Sequence, residues 1–306
     1  KVRLSPGLMT WGLRFLAQCT SERARQNTLS VLKLAMRSAA LIRDIQQQVP
    51  LDFHYRTAGK LVLLSSEAEV AAARASSELK QQYGCNARVL SRDQALEVEP
   101  ALADMSEEFI AAVYSESDEV ADSQLFTVGL SRWLETEGTV NFRLSSEANR
   151  LLTQSGRVCG VTVGDDEIDA DAVVVCLGAW SQDFLRAAGI NPHVVPARGY
   201  SITLPPGPAA PEVSVTALKH KMVFSRINGF VRVAGFVDFT GFDTRGDGGR
   251  LELLRETAQR FAPGAAEYDS ADAITWGGFR PMTPNGRPQV GSTSVPSHGI
   301  SKYCIN

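Results

Sequence analysis

A mixed α/β fold, with two domains interleaved along the chain, is what this sequence predicts, and three observations predict it. Residues 172–180 read AVVVCLGAW and lead into the helical pattern SQDFLRAAG. Such an unbroken apolar run suits a strand buried on both faces, as in a parallel sheet. A glycine at its carboxyl end, before a helix, is where open α/β sheets bind ligands. The second observation is the alternation of apolar and polar residues in RGYSITLP, EVSVTALK, MVFSRI and FVRVAGFVDF, between residues 198 and 239. It predicts an antiparallel sheet with one wet face. The third is that the pattern changes repeatedly along the chain. Residues 1–115 and 195–275 read as the antiparallel-sheet domain, and 116–194 and 276–306 as the parallel-sheet domain.

Taken in order, 21–48 is the clearest helix, with Thr20 as N-cap and Pro50 just beyond its end. Residues 59–65 read as a strand, 66–83 as a helix capped by Ser66, and 92–98 as a short helix before Pro100. FIAAVYSES predicts a strand, and 122–138 a helix that Gly138 can close. VNFRL, ANRLLTQ, GRVCGVTVG and ADAVVVCLG read as strands, with hairpin turns at Ser155-Gly156 and Asp165-Asp166. A helix follows over 249–261, then ITWGGFRP and a Gly/Pro-rich loop.

Composition narrows the function classes. Of 306 residues, 44% are hydrophobic and 21% charged, enough for two domains with real cores, and the net charge of −3 gives no basic field for nucleic acid. Five scattered cysteines without a CxxC pair, and four histidines without metal-ligand spacing, predict reduced thiols and no metal site. No run of 18 apolar residues spans a bilayer. The basic, partly apolar start KVRLSPGLMTWGLRFLAQC lacks the form of a signal peptide. The chain begins with Lys1 and stops at KYCIN inside a strand-like pattern, so it is expected to be part of a longer protein.

Two stretches carry candidate chemistry. In WGGFRPMTPNGRP (276–288), glycines and prolines surround Arg280. An arginine offers a planar, always-charged fork that matches a carboxylate. Gly277 and Gly278 would let the backbone pass close to a flat ligand, and Pro281 and Pro284 limit where the fork points. A loop arginine bonded to carbonyls, or a surface ion pair, explains the same residues. In CLGAW, Gly178 either touches a dinucleotide or simply makes room for a strand–helix turn, and Cys176 is expected to be a buried small hydrophobe. His54, Tyr55, Tyr200 and Arg226 are further candidates, though each reads first as a half-buried sheet residue, and Asp165, Asp166 and Glu167 read as a solvated hairpin tip. A GxGxxG unit is absent, and GDGG at 246–249 follows no strand.

WGGFRPMTPNGRPQVG resembles the late G-(L/F)-R-P-x-T-P-D-G-x-P-x-x-G signature of the D-amino acid oxidase superfamily of FAD-dependent oxidoreductases. Further stretches match in order: MTWGLRFLAQCTSERARQNTLSVLKLAMRS, FHYRTAGKLVL, DAVVVCLGAWS, VPARGYSITLP and FVRVAGFVDFTGFDT. Within the family, the likeness is to the small subunits of bacterial D-amino acid dehydrogenases. It implies an FAD-binding Rossmann-like domain, truncated here, interleaved with an antiparallel substrate domain. The family's amino-terminal GxGxxG unit would precede Lys1, and its closing GHG loop would follow Asn306. The resemblance implies that Arg280 binds the substrate carboxylate and that Gly178, Ala179 and Trp180 lie along FAD; Gly278, free to approach a flat ligand, is a further candidate for the cofactor. The resemblance places Ala148 at the adenine side. It makes Tyr200 a candidate for substrate contact, beside Tyr55 and His54, which are candidates from their own chemistry. Asn285 stands where the family carries Asp, and Cys176 where alanine is common.

The implied reaction is oxidative deamination of a D-amino acid to a 2-oxo acid and ammonia by hydride transfer to FAD. The electrons would pass to a quinone or other respiratory acceptor. A cytoplasmic protein, peripheral on the inner membrane, is the implied setting. Two alternatives stand beside this reading: a glycine- or sarcosine-type oxidase that uses oxygen, and a catalytically silent segment that does not hold FAD.

Overall fold

In a computed structural model, the chain is described over residues 1–105, 109–138, 140–155, 157–295 and 298–305, from 293 onward as backbone alone. Helices α1 (Pro6–Leu16) and α2 (Ser21–Gln48) come first, capped by the Ser5 and Thr20 hydroxyls. Next come β1 (Arg56–Thr57), β2 (Lys60–Leu64), α3 (Glu67–Gln81), β3 (Ala87–Ser91) and α4 (Arg92–Val98). Helix α4 starts in a capping box, Ser91 and Gln94 satisfying each other's backbone N–H. Strands β4 (Ala111–Ser115) and β5 (Glu119–Val120) precede α5 (Ser123–Thr136). The middle of the chain holds β6 (Ala148–Gln154), β7 (Arg157–Val163), β8 (Asp166–Asp169), β9 (Val174–Val175) and α6 (Ser181–Ala187). Then follow β10 (Val195–Leu204), β11 (Ser214–Ala217), β12 (Met222–Ile227), β13 (Phe230–Asp238), α7 (Asp247–Phe261) and β14 (Ile274–Met282). Strands β15 (Gln289–Val295) and β16 (His298–Ile305) end the described chain.

Eight strands form the main sheet, in the order β14-β10-β13-β12-β11-β2-β4-β3. Every neighbouring pair is antiparallel except β11 and β2, which run parallel. The alternation in EVSVTALK marks a strand with one wet face but carries no sign of its partner's direction. The core lies on one side of this sheet, where Tyr200, Ile202, Phe224, Val233, Leu254 and Phe261 are buried together. Fully burying each such side chain contributes roughly 1.5–3 kcal/mol.

The remaining strands form three small sheets, the antiparallel pair β1-β5 and the three-stranded β15-β16-β9 and β6-β7-β8, and β16 pairs with β9 in parallel. Leu151, Val175, Leu185 and Val194 make a separate small core beside the two three-stranded sheets. Sheet β6-β7-β8 depends on a close approach: a Cβ on Gly160 would lie 2.2 Å from the backbone oxygen of Ile168. Since backbone must move to admit it, Gly160→Ala is expected to cost about 1–3 kcal/mol, read as a lower midpoint in urea unfolding.

Four expectations are corrected. Strand β9 is two residues long, and only Val175 is buried while Val174 is exposed, so the apolar run is not covered on both faces. Cys176 is exposed rather than buried. VNFRL forms no strand: Val140, Phe142 and Leu144 are exposed, and none pairs with another described strand. Residues 276–282, read with the parallel-sheet domain, run instead as part of β14, the edge of the main sheet. The predicted Ser155-Gly156 turn includes Gly156, which lies outside the described residues.

Candidate active site

Strand alternation fixes the direction of the arginine. Along β14, Arg280, Gly278 and Trp276 point to one face, opposite Ala197, Gly199 and Ser201 of β10. This face, away from the core, carries a cleft of about 660 Å³. Its floor includes Arg280, Gly278, Gly199, Thr203 and Arg232, and its wall is the first turn of α5, from Asp122 to Thr127. The volume suits a small ligand. A Cβ on Gly199 would lie 3.3 Å from Arg280 Nε, so the glycine leaves room for the arginine's stem. Among the described residues Arg280 makes no ion pair or hydrogen bond, and it is exposed. A free guanidinium in a cleft is an open binding site for a carboxylate.

The glycines beside it are explained by the chain's own flat groups. A Cβ on Gly278 would fall 2.0 Å from the Trp276 indole, and one on Gly277 would fall 2.6 Å from Arg198 Nη2. The close approach predicted at Gly277-Gly278 is therefore made by an indole and a guanidinium of this protein. Gly278 still lines the cleft.

Sequence reasoning missed Arg232 and the start of α5. Arg232 Nε donates to Thr203 Oγ1 at 3.0 Å, and its Nη2 lies 3.8 Å from Asp122 Oδ2. Asp122 is the single carboxylate lining the cleft among the described residues. It accepts from Gln124 N and Leu125 N as the N-cap of α5. Alternation in FVRVA, which puts Arg232 beside Ala234 on the polar face, was the available signal.

The other predicted residues scatter. Tyr200 faces the core, where its hydroxyl donates to Asp238 Oδ2 at 3.0 Å. Its phenol is therefore on the far side of the sheet from Arg280, although Tyr200 is among the residues that line the cleft. Tyr55 and His54 are not among the residues lining the cleft, though they flank its α5 end, where Asp122 N donates to Phe53 O at 2.8 Å. His54 is exposed with φ of 52°. Burial, and then the neighbouring Glu119, push the Tyr55 hydroxyl up. Arg226 pairs with Glu212 at 3.2 Å.

Gly178, Ala179 and Trp180 form a 3-10 turn that reaches β14 from the other face. Trp180 stacks on Phe242 with centroids 5.3 Å apart and meets Phe279 edge-on at 5.8 Å. Phe279 also lines the cleft, so it joins the turn to Arg280 across the edge strand. Ala148 opens β6, in a different sheet from Arg280.

Behind the sheet, burial pushes the Tyr200 hydroxyl up to about 12 from 10.0, with Asp238 adding to the effect. A folded value above the free one favours the native state fully below pH 10, and that contribution, about 2–3 kcal/mol, is lost as the pH rises through 12. The melting temperature is expected to fall across this window, and Tyr200→Phe should flatten the fall.

Three comparisons bear on this geometry. The family model DAO, FAD dependent oxidoreductase, matches residues 6–303. D-amino acid dehydrogenase 2 of Ralstonia nicotianae is 38% identical over 304 residues, covering 96% of this chain and 72% of that protein. Among solved structures, glycine oxidase from Geobacillus kaustophilus superposes with a TM-score of 0.74 at 21% identity, covering 90% of this chain and 73% of that one. Iminodiacetate oxidase from Chelativorans sp. BNC1 gives 0.73 at 23%, covering 91% and 74%. At such identities the structures establish the fold.

Proposed function

The chain belongs to the DAO family of FAD-dependent oxidoreductases, and from that premise we propose that it oxidises D-amino acids to 2-oxo acids and ammonia. The observation that carries this reading is the unpaired Arg280 in a cleft of substrate size.

Two features support FAD as the partner of these residues. Gly178 has a φ of 53° and no heavy atom within 4 Å of where its Cβ would stand, so its backbone is bare toward open space. Strand β14 is the edge of the main sheet, and edge N–H and C=O groups are free to meet a flat, heteroatom-rich ring. Gly178, Ala179, Trp180 and Gly278 would hold the cofactor, with Ala148 at its adenine end. When bound, FAD supplies the oxidant that takes the Cα hydrogen with its electron pair.

The chain's own residues position the substrate. Arg280 holds the carboxylate in a bidentate grip and so fixes Cα. The substrate amine must be neutral, because its lone pair becomes the C=N bond of the imine product. Asp122 is committed to the helix cap and to Arg232, so no side chain of the cleft serves as a free base. Water takes the ammonium proton, and water then hydrolyses the imine. Tyr55 and His54, near the α5 end, would meet the substrate's side chain.

The acceptor in this reading is a quinone or another respiratory carrier, and the protein works on the cytoplasmic side as a peripheral membrane protein. The dehydrogenase named among its relatives supports that choice over oxygen. Among the described residues no helix is long and apolar enough to cross a membrane. Anaerobic mixing with D- and L-amino acids, followed by flavin absorbance, tests the reaction. Bleaching by D-enantiomers only is expected, and no bleaching by either would overturn the reading. Re-oxidation by a quinone faster than by oxygen separates dehydrogenase from oxidase.

A further inference from the structure

The cleft holds a second arginine that the reaction does not use. Arg280 lies opposite Ala197 and Arg232 opposite Thr203, six positions along β10 and one strand to either side of it. At ordinary strand spacing their Cα atoms stand roughly 20 Å apart, a span that two long side chains shorten. The floor between them is made of small groups, Gly199, Gly278, Ser201 and Ala234, with Trp276 and Ile274 along the edge-strand side. The result is a trough with Arg280 at one end and Arg232 at the other.

Arg232 is anchored but not saturated. Its Nε donates to Thr203 Oγ1 at 3.0 Å, which fixes the stem. Among the described residues neither Nη makes a hydrogen bond, since Asp122 Oδ2 stands 3.8 Å from Nη2, beyond hydrogen-bond reach. Asp122 is itself occupied: its Oδ1 accepts from Gln124 N and Leu125 N at the positive end of α5. The described lining of the cleft therefore carries two guanidinium groups and one carboxylate that the helix already satisfies. A half-buried arginine with its fork unused is a receptor for a second carboxylate, which it can grip in two parallel hydrogen bonds.

We propose that Arg232 is a specificity residue: it binds the far end of the substrate side chain and favours D-amino acids that end in a carboxylate, with D-glutamate as the type. The inference rests on Arg280 as the clamp for the α-carboxylate and names what the other end of the trough binds. Glycine or alanine fills only the Arg280 end. An apolar side chain as long as glutamate's strips water from the Arg232 fork and returns no acceptor. A carboxamide returns one acceptor oxygen without the charge, so it ranks between the two. A lysine or arginine side chain brings like charge to the fork. Asp122 is a poor anchor for such a cation, because the helix cap and Arg232 already claim its two oxygens.

Two measurements on the flavin-loaded protein test this. The first is kcat/KM for flavin reduction by D-glutamate, D-glutamine, D-norleucine and D-lysine. The second is calorimetric binding of glutarate and pentanoate, two unreactive acids of equal chain length of which only glutarate has a second carboxylate. D-glutamate is expected to exceed D-norleucine by about 10- to 100-fold, with D-lysine last, and glutarate to bind more tightly than pentanoate by a similar factor. Arg232→Met should bring both ratios close to one, and Arg232→Lys should keep part of each. If Arg232→Met does not fold, the ratios of the native protein decide. D-glutamate no better than D-norleucine, a ratio unchanged in Arg232→Met, or a preference for D-lysine would overturn the role of Arg232 and leave D-amino acid oxidation standing. Reduction by none of the D-amino acids would overturn that oxidation instead, and glutarate binding weakened by both Arg280→Ala and Arg232→Met would still support the two-ended trough.

Discussion

Replacing Arg280 with alanine is expected to lower kcat/KM for D-amino acids by about 2–5 kcal/mol, roughly 30- to 5,000-fold. The loss should fall on substrate binding and on orientation at Cα together, because one group fixes both. Melting temperature should not change, since Arg280 is exposed and bonds to no described residue. Bound flavin should also be unaffected. Arg280→Lys should recover only part of the activity, because an ammonium supplies charge without the planar fork. Free guanidinium ion added to Arg280→Ala should restore some rate if the missing group acts as an anion clamp. Stopped-flow reduction across a range of substrate concentrations separates KM from the limiting rate. A kcat/KM within twofold of the native value would reject the assignment.

The sequence makes Arg280 legible because its neighbours are so constrained, but the reason for the constraint is only partly functional. Gly277 and Gly278 admit Arg198 and Trp276, and such packing between strands distant in sequence leaves no local signature. The long helix α2 and the strands of the main sheet follow from periodicity and caps, which are local properties. Strand order, and the one parallel pairing inside the main sheet, between β11 and β2, are not local and leave no mark in the sequence. The misreading of AVVVCLGAW has a similar origin: apolar runs reveal hydrophobicity, not how many faces the fold will cover. Tyr200 shows the limit of motif reasoning at the site. One step of strand alternation decides whether a side chain meets the cleft or the core. The same alternation puts Arg232 on the wet face, where it meets Thr203.

That core side supplies the largest stability effect. Asp238 is almost fully buried and accepts from the Tyr200 hydroxyl, from Arg250 Nη2 at 2.7 Å and from the backbone nitrogen of Lys1. Burial alone would push its carboxyl up; these donors outweigh burial and hold it below the ordinary carboxylate value. Arg250 in turn stacks over Phe236 at 4.7 Å and projects from α7, so the carboxylate pins that helix to the back of β10 and β13. Asp238→Ala leaves a largely buried guanidinium without its counter-charge and should cost about 3–5 kcal/mol. For a chain of this size, that is a drop on the order of 10 °C in melting temperature. A depressed folded value also sets a direction with pH: the contribution is present above the unfolded carboxyl value of 3.8 and disappears as acid titrates the folded group. The native protein should therefore lose stability below about pH 4 more steeply than Asp238→Asn does. Because Asp238 and Arg280 lie on opposite faces of the sheet, KM measured well below the variant's melting point should stay near the native value. A variant with native stability and a raised KM would place Asp238 at the substrate and reverse the assignment of the two faces.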